Sequence, residues 1–115
     1  MEDVHFEAGE WKFVETGTVI ETPEGYVLQI QPRSSTFKKY GLMQVNSVGI
    51  IDQDYSGNED TIKFLYINMK KEPVTIEAGT RIGQGIFLKI AKAEFEIVEN
   101  MEKENRGGFG STGLK

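Results

Sequence analysis

The sequence predicts an all-β fold of short strands, and three observations support that prediction. Turn-forming segments recur at short, regular spacing along the chain. The segments between them are short and rich in β-branched and aromatic residues. No stretch of twelve or more residues keeps the 3.6-residue helical period without a Gly or Pro interruption. With 115 residues the chain can form one domain with a core, so we expect a sandwich or barrel.

The individual elements follow from these signals in chain order. The turn segments are EAGE (7–10), TPEG (22–25), RSS (33–35), DYSGNED (54–60), KKEP (70–73) and EAGT (77–80). The predicted strands include YVLQI (26–30), IKFLYIN (62–68), GIFLKI (85–90) and FEIV (95–98). From Glu99 onward the chain becomes charged and then Gly-rich. We therefore expect one β domain over residues 1–98 and a flexible C-terminal arm over residues 99–115.

Composition excludes several classes of function. The chain has no cysteine, which removes disulfides, thiol catalysis and zinc-thiolate sites, and its single histidine, His5, cannot form an all-histidine metal cage. A net charge of -5 disfavours a protein that binds nucleic acid polymers, so a small nucleotide is the better expectation. No apolar run is long enough to span a membrane, and the acidic start differs from an export signal. A cytoplasmic protein is expected.

Three internal segments have the composition of a nucleotide pocket. QPRSST (31–36) places a cation and hydroxyls, the groups that bind phosphate oxygens, directly after a strand that ends at Pro32. VNSVGIIDQDYSGNED (45–60) suggests a β-hairpin that presents Asp52 beside Tyr55. TRIGQGIF (80–87) places Arg81 and Gln84 at the start of a strand. Each segment has an alternative interpretation as an ordinary polar turn or, for Arg81, as a buried ion pair.

The C-terminal segment ENRGGFGSTGLK (104–115) surrounds Phe109 with glycine, serine and threonine. It does not match a phosphate-binding Walker loop, because Leu114 stands where that motif requires lysine. A disordered Gly/Ser tail is one interpretation. The other is an arm that orders over a nucleotide, with Phe109 covering a flat ring and the glycines allowing close approach of the backbone to phosphates.

The order PRSS, NSVGIIDQDYSG, RIGQGIF and GGFGSTG resembles motifs two to five of the trimeric dUTPase family, and the similarity covers nearly the whole chain. The resemblance implies a jelly-roll-like β-clip barrel that forms a homotrimer with three active sites shared between subunits. It also implies hydrolysis of dUTP to dUMP and pyrophosphate, with Mg²⁺ bound chiefly by the triphosphate.

The resemblance assigns roles to individual residues. Asp52 would be the general base that activates water and would bind the 3′-hydroxyl, while Tyr55 would pack on deoxyribose. Uracil would be read by the segment from Asn46 to Ile51, which includes Gly49. Phosphates would be held by the side chains of Arg33, Ser34, Ser35 and Gln84, with Arg81 in support. From the arm, Phe109 would stack on the base, and the remaining contacts would come from Arg106, Gly110, Ser111 and Thr112.

The family's first motif is missing from this sequence, and two functions other than dUTP hydrolysis remain open. The family's first motif, Ala-Gly-x-Asp-Leu, is not found ahead of MEDVHFEAGE, so either the sequence is a shortened version of a longer chain or that strand has been lost. A dCTP deaminase shares the fold and a similar Arg-Ser-Ser turn but lacks this Gly-rich arm. A non-catalytic nucleotide-sensing or protein-binding module of the same fold is the other alternative.

Overall fold

The computed structural model describes residues 2–110. In this part of the chain short strands account for most of the regular structure, and one helix of a single turn interrupts them. The elements are β1 (Val4–Phe6), β2 (Trp11–Glu15), β3 (Tyr26–Pro32), α1 (Thr36–Tyr40), β4 (Leu42–Gln44), β5 (Gly49–Ile51), β6 (Lys63–Asn68), β7 (Val74–Ile76) and β8 (Gly83–Lys89). The predicted all-β fold is confirmed.

The strands form small antiparallel sheets in the order β1–β7, β2–β6–β4 and β5–β3–β8. The predicted strands at 26–30, 62–68 and 85–90 correspond to β3, β6 and β8. Strand β3 ends at Pro32 as expected, since proline cannot donate to a continuing ladder. It is the central strand of its sheet. The first half of β3 lies beside the end of β5, and the last residue of β3 lies beside the start of β8.

The core lies between the sheets and follows from strand alternation. In β6, Phe64, Tyr66 and Asn68 are buried while Leu65 and Ile67 alternate with them on the outer face. The rings of Phe64 and Tyr66 stack with their centroids 5.7 Å apart. The other buried apolar residues are Phe6, Val14, Leu28, Ile30, Leu42, Ile62, Ile76 and Ile82.

Helix α1 is too short to show a helical period in the sequence. It ends at Gly41, whose φ of 69° is the left-handed conformation that glycine adopts without strain. The backbone N–H of Met69 donates to the carbonyl of Gly41 at 2.9 Å, and this bond ties the end of the helix to the end of β6. No helix within residues 2–110 is long and apolar enough to cross a membrane.

Two local predictions were wrong. The segment around Asp52 is not a β-hairpin, because β5 pairs with β3 whereas β6 pairs with β2 and β4, so the chain crosses from one sheet to another. We call the connecting residues 52–62 the Asp52 loop. Residues 95–98 do not form a strand in the structure, and Phe95 and Ile97 are 93% and 97% exposed. Their alternation is strand-like, but they pair with no strand of the described residues.

Candidate active site

The first cluster of predicted residues lies where β3 ends and β8 begins. Because Pro32 pairs with Gly83, the turn after β3 is brought against Gln84. The Arg33 guanidinium donates to the carbonyl of Arg81 at 3.1 Å, and the Gln84 amide donates to the carbonyl of Pro32 at 2.9 Å. The resulting depression, which we call the Arg33 cleft, is lined by Arg33, Ser34, Arg81, Gly83 and Gln84.

Thr36 joins the two segments of the Arg33 cleft and was not singled out in the sequence. Its buried hydroxyl accepts a hydrogen bond from the N–H of Arg33 at 3.0 Å and donates to the carbonyl of Ile82 at 2.9 Å. The Tyr66 hydroxyl donates to the same carbonyl at 2.6 Å, and burial raises the pKa of this phenol. Ser35 is at the N-cap position of α1, without a side-chain capping bond.

The second cluster surrounds Asp52. We call it the Asp52 cleft, and it is lined by Phe13, Ile50, Ile51, Asp52, Tyr55, Thr61 and Lys63. Asp52 is exposed, and its backbone carbonyl accepts a hydrogen bond from the N–H of Tyr55 at 3.1 Å, which closes a turn directly after β5. The structure therefore places the predicted base and the predicted sugar-packing ring in one cleft.

The Asp52 loop is held at its far end by hydrogen bonds. The Tyr55 hydroxyl donates to the carbonyl of Thr61 at 2.8 Å, and the Thr61 hydroxyl donates to the Glu15 carboxylate at 2.9 Å. That carboxylate also accepts from the N–H of Gly17 at 2.8 Å and lies 3.7 Å from the Lys63 ammonium. The Gly17 hydrogen bond is the largest cause, and the Thr61 bond the next, of a lowered pKa at Glu15.

The segment predicted to read uracil, residues 46–51, comprises the end of the link from β4 and the whole of β5. Asn46 is exposed, and its carbonyl accepts from the N–H of Val48 at 2.7 Å, while Ser47 has a positive φ of 56°. Gly49 is buried, and a Cβ at that position would meet the Ile30 side chain at 2.6 Å. Only glycine fits there without displacing the core, so the backbone at the start of β5 approaches β3 closely.

Within residues 2–110 the two clefts have no lining residue in common. Each lies near one end of the central strand β3: Leu28 pairs with Ile51, just before Asp52, and Pro32 precedes Arg33. The six residue steps from Val27 to Arg33 span roughly 20 Å at about 3.3 Å per residue of strand. One chain therefore brings together the members of each cluster but not the two clusters.

No residue of the described part of the arm, 99–110, is among those that line either cleft. Phe109 is fully exposed, and the Arg106 guanidinium donates to the neighbouring carbonyl of Gly107 at 3.1 Å. Phe109 has a φ of 50° and Gly110 a φ of 85°. The predicted contributions of Ser111 and Thr112 lie outside the described residues.

Metal binding by protein groups alone has no support among residues 2–110, in which no three His, Cys, Asp or Glu side chains are grouped to hold an ion. Among the described residues, Asp52 is the one acidic side chain that lines the Asp52 cleft. A single carboxylate would suit an ion that takes its remaining ligands from a bound phosphate.

Comparison with known proteins identifies the family. A family model described as dUTPase matches residues 1–113. The chain belongs to the dUTPase family. The chain is 44% identical over 116 residues to the deoxyuridine 5′-triphosphate nucleotidohydrolase of Lactococcus lactis subsp. lactis, covering 97% of this chain and 76% of that one. An SPbeta prophage-derived deoxyuridine 5′-triphosphate nucleotidohydrolase of Bacillus subtilis is 39% identical over 115 residues, with coverages of 99% and 80%.

Solved dUTPase structures share the fold. The crystal structure of the dUTPase from Streptococcus mutans matches with a TM-score of 0.76 and 37% identity, covering 82% of this chain and 76% of that chain. The dUTPase of Staphylococcus bacteriophage 80alpha, solved with dUPNHPP, matches with a TM-score of 0.82 and 26% identity, with coverages of 98% and 82%. The dUTPase resemblance read from the motifs is therefore confirmed.

Proposed function

We propose that this dUTPase hydrolyses dUTP to dUMP and pyrophosphate in sites that are assembled between copies of the chain. The observation that carries the reaction is the match of the dUTPase family model to nearly the whole chain. Relatives at 39–46% identity carry the same enzyme name. The two clefts supply the groups that such a reaction needs, namely a free carboxylate in one and phosphate-binding donors in the other.

Asp52 acts as the general base that takes a proton from the attacking water. Asp52 is exposed and lines the Asp52 cleft together with the half-buried Tyr55. The ring of Tyr55 has the position and shape to pack against deoxyribose. Water then attacks the α-phosphorus and pyrophosphate leaves. A positioned base supplies about 10²–10⁴ of the rate enhancement, and orientation and charge stabilisation supply most of the rest.

The Arg33 cleft holds the triphosphate. Arg33, Ser34 and Gln84 provide charged and neutral donors, with Ser35 and Arg81 next to them, and guanidinium groups bind phosphate oxygens strongly. Mg²⁺, carried by the triphosphate, supplies further neutralisation of its negative charge. The bond from the Arg33 guanidinium to the Arg81 carbonyl restricts the side chain before the ligand arrives, so less of its conformational freedom is lost on binding.

Base recognition completes the site. Uracil is read by main-chain and side-chain groups from Asn46 to Ile51, where Gly49 keeps the backbone close to β3. Phe109 then stacks on the base, which is worth about 1–3 kcal/mol if aromatic stacking on nucleic acid bases is a guide. The rest of the arm, including Arg106, Gly110, Ser111 and Thr112, contacts the phosphates.

Separation of the two clefts supports a homotrimer in which different subunits supply the two halves of each site. About 20 Å of strand β3 lies between Asp52 and Arg33 within one chain, too far for one α-phosphoryl group to contact both. A second copy that places its Arg33 cleft beside Asp52 removes this difficulty. The strand-like, exposed residues around Phe95 and Ile97 also suit an interface.

An apolar surface on the β2–β6–β4 sheet also favours assembly. Strand pairing arranges six side chains in two cross-strand rows on the outer face, and Trp11 and Phe13 in it are 61% and 60% exposed. We call this surface the Trp11 face; its rows are Trp11–Ile67–Met43 and Phe13–Leu65–Val45. A contiguous apolar patch of this kind marks an interface. Phe13 also lines the Asp52 cleft, so a subunit covering this face would lie at the edge of the site.

The reaction is tested by measuring pyrophosphate release from the deoxynucleoside triphosphates with and without Mg²⁺. We expect release from dUTP alone and a strong requirement for the metal. Binding of dUTP without pyrophosphate release would instead support the non-catalytic module, and ammonia release from dCTP would support the deaminase.

The shared site is tested by complementation between two inactive variants. Asp52→Asn and Arg33→Ala chains are unfolded, mixed and refolded together, so that some sites combine an intact Asp52 with an intact Arg33. Recovery of turnover supports shared sites, and no recovery in assemblies shown to be mixed contradicts them. Trp11→Glu should lower the molar mass measured by light scattering. Phe37→Glu, an exposed residue outside the Trp11 face, is the control.

A further inference from the structure

Gln53 follows Asp52 directly and makes hydrogen bonds across the sheet. Its side-chain amide donates to the carbonyl oxygen of Pro23 at 3.0 Å and to that of Tyr26 at 3.1 Å, residues that lie 30 and 27 positions earlier. Both acceptors belong to the turn that leads into β3, which the N–H of Tyr26 closes on Pro23 at 3.2 Å. Gln53 therefore joins the Asp52 turn to a second turn in the chain.

The place of these bonds in the strand register explains what they do. Strands β3 and β5 pair as Ile30 with Gly49, Gln29 with Ile50 and Leu28 with Ile51, and there the backbone ladder between them ends. The next position that would hydrogen-bond in this register pairs Tyr26 with Gln53. The Gln53 side chain donates to that Tyr26 carbonyl. The backbone pairing of β3 with β5 ends before Asp52, and the Gln53 side chain adds one more connection to β3 beyond that residue.

The Asp52 carboxylate depends on this connection because it has no anchor of its own among the described residues. No hydrogen bond or ion pair of that carboxylate is found within residues 2–110, so its direction is set by the backbone of its turn. The turn is held at Tyr55 on one side, through the hydroxyl bond to Thr61, and at Gln53 on the other. A carboxylate that must meet a water in line with phosphorus requires such a fixed backbone.

We propose that Gln53 is a positioning residue that aims the Asp52 carboxylate at the attacking water, an inference that rests on the proposed role of Asp52. The requirement is for a side chain of this length that donates hydrogen bonds. Methionine has nearly the same length and no donor, whereas lysine and arginine can donate to both carbonyls. Glutamate is unsuitable as the rescue variant, because an ionised carboxylate has no hydrogen to donate to the two carbonyls.

The experiment compares kcat and KM for dUTP in Gln53→Met, Gln53→Lys and a control variant, Asn58→Met, at an exposed position of the same loop. We expect Gln53→Met to lower kcat about tenfold with KM changed by less than about twofold, within the range known for displaced catalytic groups. Gln53→Lys should recover most of the loss, and Asn58→Met should match the unaltered protein. Unchanged kcat in Gln53→Met would overturn the proposal.

The Tyr55 amide donates to the Asp52 carbonyl, so its rate of hydrogen exchange measures how stable the Asp52 turn is, independently of enzyme activity. We expect faster exchange in Gln53→Met and normal exchange in Gln53→Lys. A tenfold loss of kcat with unchanged exchange would also overturn the proposal, because the turn would then be intact. Failure of the proposed role of Asp52 is recognised separately, by full turnover in Asp52→Asn.

Discussion

The phenolic hydroxyl of Tyr55 donates a hydrogen bond to the backbone carbonyl of Thr61 at 2.8 Å, across the Asp52 loop. This bond fixes the hydroxyl end of the ring and closes the seven residues 55–61 into a loop. Thr61 is in turn bonded to Glu15 on β2. The ring that we place against deoxyribose is thus oriented by a sheet that does not contain Asp52.

Tyr55→Phe removes this bond and keeps the ring. We expect kcat/KM for dUTP to fall by about three- to tenfold, since a net hydrogen bond is worth about 0.5–1.5 kcal/mol. Steady-state kinetics measure the effect, and Tyr40→Phe, a tyrosine of α1 outside both clefts, serves as the control. Equal losses in both variants would argue against a specific role for the Thr61 bond.

Asp52→Asn should retain dUTP binding and lose most turnover, because the amide cannot accept the proton of the attacking water. The expected loss in kcat is about 10²–10⁴-fold. Calorimetric binding of dUTP and pyrophosphate release measure the two effects separately. Asp54→Asn, an exposed acid two residues further on, is the matched control. Turnover that survives in Asp52→Asn would remove this residue from the base role.

Thr36→Val removes the buried hydroxyl that joins Arg33 to Ile82 and keeps the volume of the side chain. We expect the free energy of unfolding to fall by about 1–3 kcal/mol, because the partly buried N–H of Arg33 loses its acceptor. The KM for dUTP should rise as well, since the Arg33 turn is no longer tied to β8. Urea unfolding and kinetics check these outcomes. Thr36→Ser, which keeps the hydroxyl, should show a smaller KM change.

Glu15 links stability to pH. Its pKa is lowered in the folded protein from an ordinary value of 4.5, first by the Gly17 N–H. The ionised form therefore stabilises the fold above about pH 4.5, and this contribution is lost as the pH falls through the lower folded pKa. Glu15→Gln should be less stable at pH 7, and its difference from the unaltered protein should narrow in acid.

Thermal midpoints between pH 7 and pH 3 measure the effect of Glu15. The difference is small because the side chain is exposed to solvent. Glu94→Gln, an exposed acid outside the described sheets, is the control and should follow the unaltered protein at each pH. A Glu15→Gln difference that widens toward pH 3 would contradict the sign of the shift.

Deletion of residues 104–115 should lower activity far more than stability. The described residues 104–110 contain no strand or helix, and most are exposed, so we expect the free energy of unfolding to change by about 0.5 kcal/mol or less. Loss of base stacking should lower kcat/KM for dUTP about tenfold or more. Phe109→Ala in the full chain separates the ring from the rest of the arm. A collapse in thermal stability would contradict the role assigned to the arm.

The sequence predicted those elements whose signal is local. Strands β3, β6 and β8 have six or seven residues and a clear period, so their composition reveals them. The three-residue strands such as β5 are too short for any period, and their pairing depends on residues far along the chain. The pattern at residues 95–98 is that of a strand, but a pattern cannot show whether a pairing partner exists within the same chain.

The same distinction applies to the candidate site. Arg33, Asp52 and Gln84 belong to the motifs that the sequence shows, and the motif order predicts them as site residues. Thr36 donates to a backbone carbonyl 46 positions away, and Gln53 donates to two backbone carbonyls 30 and 27 positions away. Every residue has a backbone carbonyl, so the sequence does not show which one will be the acceptor. The supporting hydrogen bonds could therefore be found only once the fold had fixed which carbonyls face them.

The location of the two clefts near opposite ends of strand β3 has a consequence for gene dosage. Where each working centre draws on two polypeptides, an inactive allele expressed beside an intact one would disable neighbouring chains as well as its own product. Dilution would have a comparable effect, since specific activity per polypeptide would decline once oligomers dissociate. Because the seven-residue strand β3 keeps the two clefts of one chain apart, the specific activity would depend on protein concentration as well as on sequence.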